Sequence, residues 1–200
     1  MAPPTRFPRF EQYVSRLPKG LDSYPEYRCR ASVYRIFTDK MDLASFPFED
    51  VPVQIRTLLK SPFLHDSWLA EPPAVATILA AADFLGLDDA AARRWVDETN
   101  ARLVGGRMYR TMMSLATPSI LVALASRQWG VFHRGTKINV QRGKPTMIRI
   151  DFPPFLYDEL LAEATAAGIR HALTLSRAKD PTVEIEEHAP THTIYRVAWT

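Results

Sequence analysis

The stretch TKINVQRGKPTMIRID, residues 136–151, decides the fold class. Apolar and polar residues alternate in 136–141 and again in 146–151, and Arg142-Gly143-Lys144-Pro145 separates the two runs. A period of two residues predicts β-strands, and glycine with proline between two such runs predicts the turn of a hairpin. We therefore expect an antiparallel sheet that contains this hairpin.

The residues after the hairpin predict a helix and further strands. Pro153-Pro154 opens a helix in which leucine and alanine recur at helical spacing, and Gly168 is expected to end it. Residues 172–178 are predicted to form the next strand and residues 191–199 the last, while 183–185 can extend the pairing. The sheet-containing part, about 131–200, therefore has the order β-β-α-β-β.

The residues before the hairpin, about 7–130, are predicted to be helical. Helix starts are expected where a capping acid or a proline stands before an apolar stripe, at Asp50, Glu71 and Asp88. Gly105-Gly106 breaks the chain before a short helical stretch.

Thr117-Pro118 starts a helix that is predicted to run to about Trp129. Its apolar residues cover more than one face, which is typical of a central helix. The prediction is an α+β fold in a single domain, residues 1–200, with an N-terminal helical bundle packed on the C-terminal antiparallel sheet.

Composition excludes several classes of protein. Of the 200 residues, 46% are hydrophobic and 24% are charged, which is ordinary for a globular protein and excludes a disordered chain. A disulfide framework is excluded because Cys29 is the only cysteine. The first residues lack the pattern of a secretory signal, and the longest uncharged apolar run is 16 residues, too short for a membrane span. We expect a cytoplasmic protein without a membrane partner.

Four features of the chain resemble those of one group of domains: Lys19–Pro25 before an aromatic helix, Gly106–Arg110, the segment from Pro153 to Trp199, and Thr117-Pro118, where that group usually has Gly-Pro. This combination resembles an uncharacterised bacterial family related to the 4-vinyl reductase and haem–nitric-oxide-binding domains and, more distantly, to the TRAPP vesicle-tethering subunits. The resemblance implies a cleft between helices and sheet that binds a small ligand, and it implies dimers. It includes no catalytic signature. Residues 39–104 depart from the family pattern and are either an insertion or a divergent helical bundle.

The distribution of charge indicates a candidate site. Residues 99–150 contain nine Lys or Arg and no Asp or Glu, whereas residues 39–98 contain 11 acidic and five basic residues. The open interpretations are pairing between the two segments, an anion site beside Gly105-Gly106, and a surface for an acidic protein partner. Nucleic acid is less favoured, because the net charge is only +3. The candidate ligand-binding residues lie near the junction of helix and hairpin: Arg107, Arg110, Arg127, His133 and Arg134.

The chain contains no nucleophile-elbow motif. Cys29, between two arginines on a predicted amphipathic helix, is either a thiol activated by these cations or a small structural hydrophobe. His188 and His192 have metal-ligand spacing for a helix, but the proline between them favours a turn. His65 is the candidate iron ligand of a haem protein. We predict no cofactor and no metal ion.

These features together predict a non-catalytic sensory or regulatory module. It is expected to bind a small molecule or an acidic partner protein and to act as a homodimer. The ligand is expected between the helix from Pro118 to Trp129 and the sheet, where it shifts the population of two packings. Two alternatives stay open: anion, nucleotide or nucleic-acid binding through residues 99–150, and a haem-based gas sensor.

Overall fold

The computed structural model describes residues 5–60, 67–106 and 117–200. Its helices are α1 (Pro8–Arg16), α2 (Ala31–Thr38), α3 (Val53–Lys60), α4 (Glu71–Phe84), α5 (Asp89–Gly105), α6 (Pro118–Ala123), α7 (Ala125–Phe132) and α8 (Glu159–Leu175). Its strands are β1 (Arg28–Arg30), β2 (Trp68–Ala70), β3 (His133–Arg134), β4 (Lys137–Gln141), β5 (Thr146–Asp151), β6 (Thr182–Ala189) and β7 (His192–Ala198). Helices dominate the N-terminal part and strands the C-terminal part, so the α+β class is as predicted.

The larger sheet has the antiparallel order β4-β5-β7-β6. β4 and β5 pair as the alternation predicts, with Val140 opposite Ile148. In β7, Tyr195 and Val197 are buried while Arg196 between them is exposed, because successive strand residues point to opposite faces. The buried face packs against α8, and the Tyr195 hydroxyl donates a hydrogen bond to the backbone carbonyl of Ala162 at 3.2 Å.

Helix α8 belongs to two hydrophobic cores. Leu160 and Ala164 pack among the N-terminal helices, whereas Ala166 and Leu173 pack against the larger sheet. The helix begins after Asp158, whose carboxylate accepts a hydrogen bond from a backbone N–H of the first turn at 3.0 Å. Its two apolar faces connect the helical part of the chain to the sheet.

Two predictions about this region are wrong. Gly168 does not end α8, and residues 172–178 are not a strand but the end of that helix, through Leu175, and the turn after it. Glycine at 168 instead permits close packing, since a Cβ there would lie 3.1 Å from Asn100 Oδ1 of α5. The strand that precedes β7 and pairs with it is β6.

The helix expected after Thr117 begins as predicted but is neither continuous nor central. The Thr117 hydroxyl accepts a hydrogen bond from the Ile120 N–H at 3.3 Å. The helix then breaks at Leu124, which separates α6 from α7. Ile120, Leu124 and Val131 are 48%, 41% and 48% exposed, so the outer side of this helix pair carries apolar residues. The helix pair is apolar all round because its inner face packs toward the core while its outer face carries exposed apolar residues.

A second sheet, with the order β2-β1-β3, includes segments for which the sequence predicts helix. β1 pairs antiparallel with both neighbours, and Cys29 lies opposite Leu69 on one side and His133 on the other. Cys29 is therefore on a strand, and the prediction of an amphipathic helix at this position is wrong. Strands of two or three residues are too short to produce an alternating pattern in the sequence.

Candidate functional site

An apolar cavity of about 250 Å³ lies between the N-terminal helices, the α6–α7 pair, α8 and the larger sheet. Its wall is almost entirely hydrocarbon and aromatic ring, contributed from all of these elements, as the following members show: Phe37, Ile78, Leu121, Trp129, Ile148 and Ile169. Small-molecule sites are typically concave and apolar with a few polar groups that fix orientation. The cavity borders both the helix pair and the sheet between which the sequence predicts a cleft.

One end of this cavity is polar because Glu71 lies there. Glu71 is the first residue of α4, and only 1% of it is exposed. Its Oε1 lies 2.8 Å from Nδ1 of His133 and accepts a hydrogen bond from the Tyr157 hydroxyl. Its Oε2 is buried without a hydrogen-bond partner among the described residues. A buried polar group left unsatisfied costs about 1–3 kcal/mol, and more if it is charged, so Oε2 is an acceptor that still lacks a donor.

The smaller sheet positions His133 at this end of the cavity. His133 follows α7 directly and pairs with Cys29 of β1, so both side chains lie on the inner face of the sheet. The Trp129 ring stacks on the imidazole with centroids 4.0 Å apart and an interplanar angle of 13°. The indole N–H in turn donates to the Thr136 hydroxyl at 2.8 Å. Backbone pairing and ring stacking together hold the imidazole beside Glu71.

The Tyr157 hydroxyl is a donor in this cluster. Burial, and then the negative charge of Glu71, raise the pKa of its phenol well above the ordinary value. The hydroxyl therefore stays protonated near neutral pH and donates to Glu71, while His133 Nδ1 lies 3.3 Å from the same oxygen.

Cys29 is a buried structural thiol. Burial, and then the charge of Glu71, raise the pKa of this thiol well above its ordinary value. Arg28 and Arg30 precede and follow it in β1, where alternation turns their side chains to the other face. The interpretation as a thiol activated by neighbouring cations is therefore wrong.

The predicted ligand-binding residues have different surroundings. Arg107 and Arg110 lie outside the described residues. Arg127 is exposed on α7, and the Arg134 guanidinium lies 3.9 Å from the ring centre of the β2 tryptophan, on the outer face of the smaller sheet. Of the three candidates that the structure describes, His133 lines the cavity and the two arginines do not.

The basic side chains of residues 99–150 contact several separate partners. Arg149 forms an ion pair with Asp151 at 2.7 Å, and Arg102 donates to the Thr99 hydroxyl at 3.0 Å. His133 of this segment pairs with Glu71 of the acidic segment 39–98, and this contact helps to shape the cavity. The anion site expected beside Gly105-Gly106 involves Arg107 and Arg110, which lie outside the described residues.

Sequence reasoning missed Glu71 and Tyr157 as site residues. For Glu71 a signal exists: residues 72–82 are all apolar except Thr77, which predicts a helix buried on every side and hence a buried carboxylate at its head. For Tyr157 we find no such signal, because it lies in a short connection before α8.

Metal and membrane interpretations gain no support from the described part of the chain. No group of three or more His, Cys, Asp or Glu that could hold a metal ion is found there. His188 lies 2.9 Å from the Thr193 hydroxyl, and His65 is outside the described residues. Among the helices of residues 5–60, 67–106 and 117–200, none has the length and apolar character needed to cross a bilayer.

The chain matches no protein-family model, no curated protein and no solved structure.

A second, polar cleft of about 260 Å³ lies between α1, α5 and the start of α8. Its charged groups pair with one another: Arg9 lies 2.8 Å from Asp89, and Arg93 lies 3.5 Å from Glu163. Asp158, the capping residue of α8, lies at its edge. This cleft is an electrostatic contact between helices.

Replacement of Asp158 by asparagine is expected to change the pH dependence of stability. Burial, with a smaller effect of Glu159, raises the pKa of Asp158 to about 6, although Arg16 and Arg9 oppose the shift. The folded state holds the proton of Asp158 more tightly than the unfolded chain does. Protonated Asp158 therefore stabilises the folded state fully below the unfolded pKa of about 4. This stabilisation is lost as the pH rises through the folded pKa of about 6.

Relative to Asp158→Asn, whose amide oxygen can still cap α8, the wild type should lose stability between about pH 4 and pH 6 and change little above pH 7. Urea denaturation of both proteins at several pH values measures the difference. A difference that does not vary with pH would show that this carboxyl titrates normally.

Proposed function

We propose that the protein is a non-catalytic binding module whose small, largely apolar ligand occupies the cavity. The observation that carries this proposal is the apolar cavity with the buried Glu71 carboxylate at its polar end. One oxygen of this carboxylate has no hydrogen-bond partner among the described residues. Transfer of apolar ligand surface from water into such a site contributes roughly 25 cal/mol per Å². The apolar wall therefore supplies a driving force for binding.

The chemistry of the polar end supports binding over catalysis. Cys29 and Tyr157 are two nucleophile-bearing side chains that lie near Glu71 among the described residues lining the cavity, and burial raises the pKa of both. Both groups are therefore protonated near neutral pH and are poor nucleophiles. His133 and Tyr157 fix the orientation of the carboxylate, which is a role in recognition.

The α6–α7 pair provides a way to transmit binding to a partner. Leu121 and Ala125 line the cavity, whereas Ile120 and Leu124 are exposed on the other side of the same short helices. A ligand that pushes on the inner residues favours one packing of the pair and changes the apolar surface outside. In the proposed role this surface meets a second copy of the chain or a partner protein.

The proposal includes three further expectations. They are a likeness to the 4-vinyl reductase and haem–nitric-oxide-binding domains, the β-β-α-β-β order that goes with this likeness, and a cytoplasmic location. A cavity between helices and sheet is compatible with the likeness. The anion and haem alternatives have no comparable observation in their favour among the described residues.

Filling the cavity with a protein side chain is expected to abolish ligand binding. Ala125 lines the cavity, and Ala125→Phe places a phenyl ring in it; Ala123→Phe makes the same change on the exposed end of α6. With 4-phenyl-1-butanol as the probe, calorimetry should show binding to the wild type and to Ala123→Phe. Affinity for Ala125→Phe should fall by about tenfold or more, the equivalent of about 1.4 kcal/mol.

Circular dichroism checks that each variant is folded. Equal binding by Ala125→Phe and the wild type would place the probe elsewhere. Absence of binding to the folded wild type would contradict the proposed function.

A further inference from the structure

The geometry points to an amphiphilic amine as the ligand: its ammonium group binds Glu71 Oε2, and its apolar body fills the cavity. This inference rests on the proposed function and names the class of ligand. It depends on three observations: the orphaned carboxylate oxygen, the donors already engaged around it, and the apolar wall beyond it.

The hydrogen-bonding capacity of the Glu71 carboxylate is only partly used by the described residues. Tyr157 donates to Oε1 of Glu71, and His133 Nδ1 lies 2.8 Å from the same oxygen. Both neighbouring groups therefore contact one side of the carboxylate. Oε2 retains its lone pairs, but less than 1 Å² of the atom is accessible, so a ligand donor reaches it when the Glu71 side chain turns toward the cavity that it lines. The group that complements it must bring a donor.

The ligand's donor is expected to carry a positive charge. A hydrogen bond between an ionised donor and a carboxylate is roughly twice as strong as a neutral one, and a low local dielectric increases the difference. The cationic side chain next to His133, Arg134, lies on the outer face of the smaller sheet over the Trp68 ring. No Lys or Arg is found among the described residues that line the cavity. A positive head group is therefore attracted by the Glu71 carboxylate, which pairs with His133 on one side, whereas a carboxylate ligand would be repelled.

The rest of the ligand is expected to be apolar. Aromatic rings of Tyr34, Phe37, Trp129 and Phe132 contribute to the wall, and the remainder is mostly aliphatic. Aromatic faces favour a nearby cation and pack well against an aryl group. Glu71 is the carboxylate among the described lining residues, so a molecule with one amine at the tip of an apolar body fits the arrangement.

The test uses three probes that share one body and differ in the head group: 4-phenylbutylamine, 4-phenyl-1-butanol and 4-phenylbutyrate. Calorimetry on the wild type at neutral pH should rank the amine about tenfold or more above the alcohol, with the carboxylate weakest. This ranking needs no variant, so it tests the inference even if a substituted protein fails to fold.

Glu71→Gln then identifies the group responsible. It should reduce the affinity for the amine by about tenfold or more and that for the alcohol by clearly less, so that the ratio of the two affinities falls. Glu49→Gln makes the same change at an exposed position remote from the cavity and should leave all three affinities unchanged.

The outcomes separate the two proposals. If the wild type binds none of the three probes, the proposed function is wrong. If it binds the alcohol as tightly as the amine, or if Glu71→Gln keeps the preference for the amine, the cavity binds ligands but the inference about their class is wrong.

Discussion

Replacement of Leu173 by alanine is expected to lower the free energy of unfolding by about 2–5 kcal/mol. Leu173 is completely buried in the last turn of α8, in the core that also contains Ile148 and Tyr195. The substitution removes buried hydrocarbon and enlarges a cavity that is already present. Urea denaturation followed by circular dichroism measures the change.

The neighbouring Thr174 provides the matched control. It is exposed on the same turn of the helix, so Thr174→Ala should change stability by no more than about 0.5 kcal/mol. Similar effects of the two substitutions would mean that residue 173 is not buried, and would favour the strand that the sequence pattern predicts for this segment.

Replacement of Gly135 by alanine is expected to destabilise the protein by at least about 2 kcal/mol. Gly135 connects β3 to β4 with φ +92°, a conformation that side chains rarely adopt. A Cβ would also lie 2.7 Å from Cδ1 and 2.9 Å from Cγ of the Tyr27 ring. Since Cγ moves only when χ1 of Tyr27 changes, relief of this contact needs the whole Tyr27 ring to leave its place or the backbone to shift.

Gly130→Ala is the control for this prediction. Gly130 lies in α7, where an added Cβ would have no heavy atom of a neighbouring group within 4 Å, so alanine should be neutral or stabilise by up to about 1 kcal/mol. Thermal unfolding of both variants gives the comparison. A Gly135→Ala protein as stable as the Gly130→Ala protein would contradict the strained connection between the two sheets.

Local patterns predicted the elements whose formation depends on neighbouring residues. The alternation in 136–151 predicted the hairpin, and Asp88 caps α5 by accepting a hydrogen bond from the Ala91 N–H at 2.7 Å. Glu71-Pro72-Pro73 begins α4, as expected from proline in a first turn. Each of these signals acts within one turn or one strand pair.

The same rules fail where packing overrides local preference. Gly168 predicts a helix end, but α8 continues because its later residues bury themselves against the sheet while the glycine lies close to Asn100. The apolar residues after Thr117 predict a buried helix, yet the chain forms two short helices with Ile120 and Leu124 exposed. Periodicity alone does not distinguish a face turned to the core from one turned outward.

The sequence by itself determined the α+β class, the hairpin and several helix starts, since capping, proline placement and alternation act between residues close in the chain. Only the tertiary structure decided that Glu71, His133 and Tyr157 meet at one end of an apolar cavity. Glu71 is 62 residues from His133 and 86 from Tyr157. Their meeting depends on very short strands and a connecting segment, which leave no periodic signal, and on long-range burial that leaves one carboxylate oxygen without a donor.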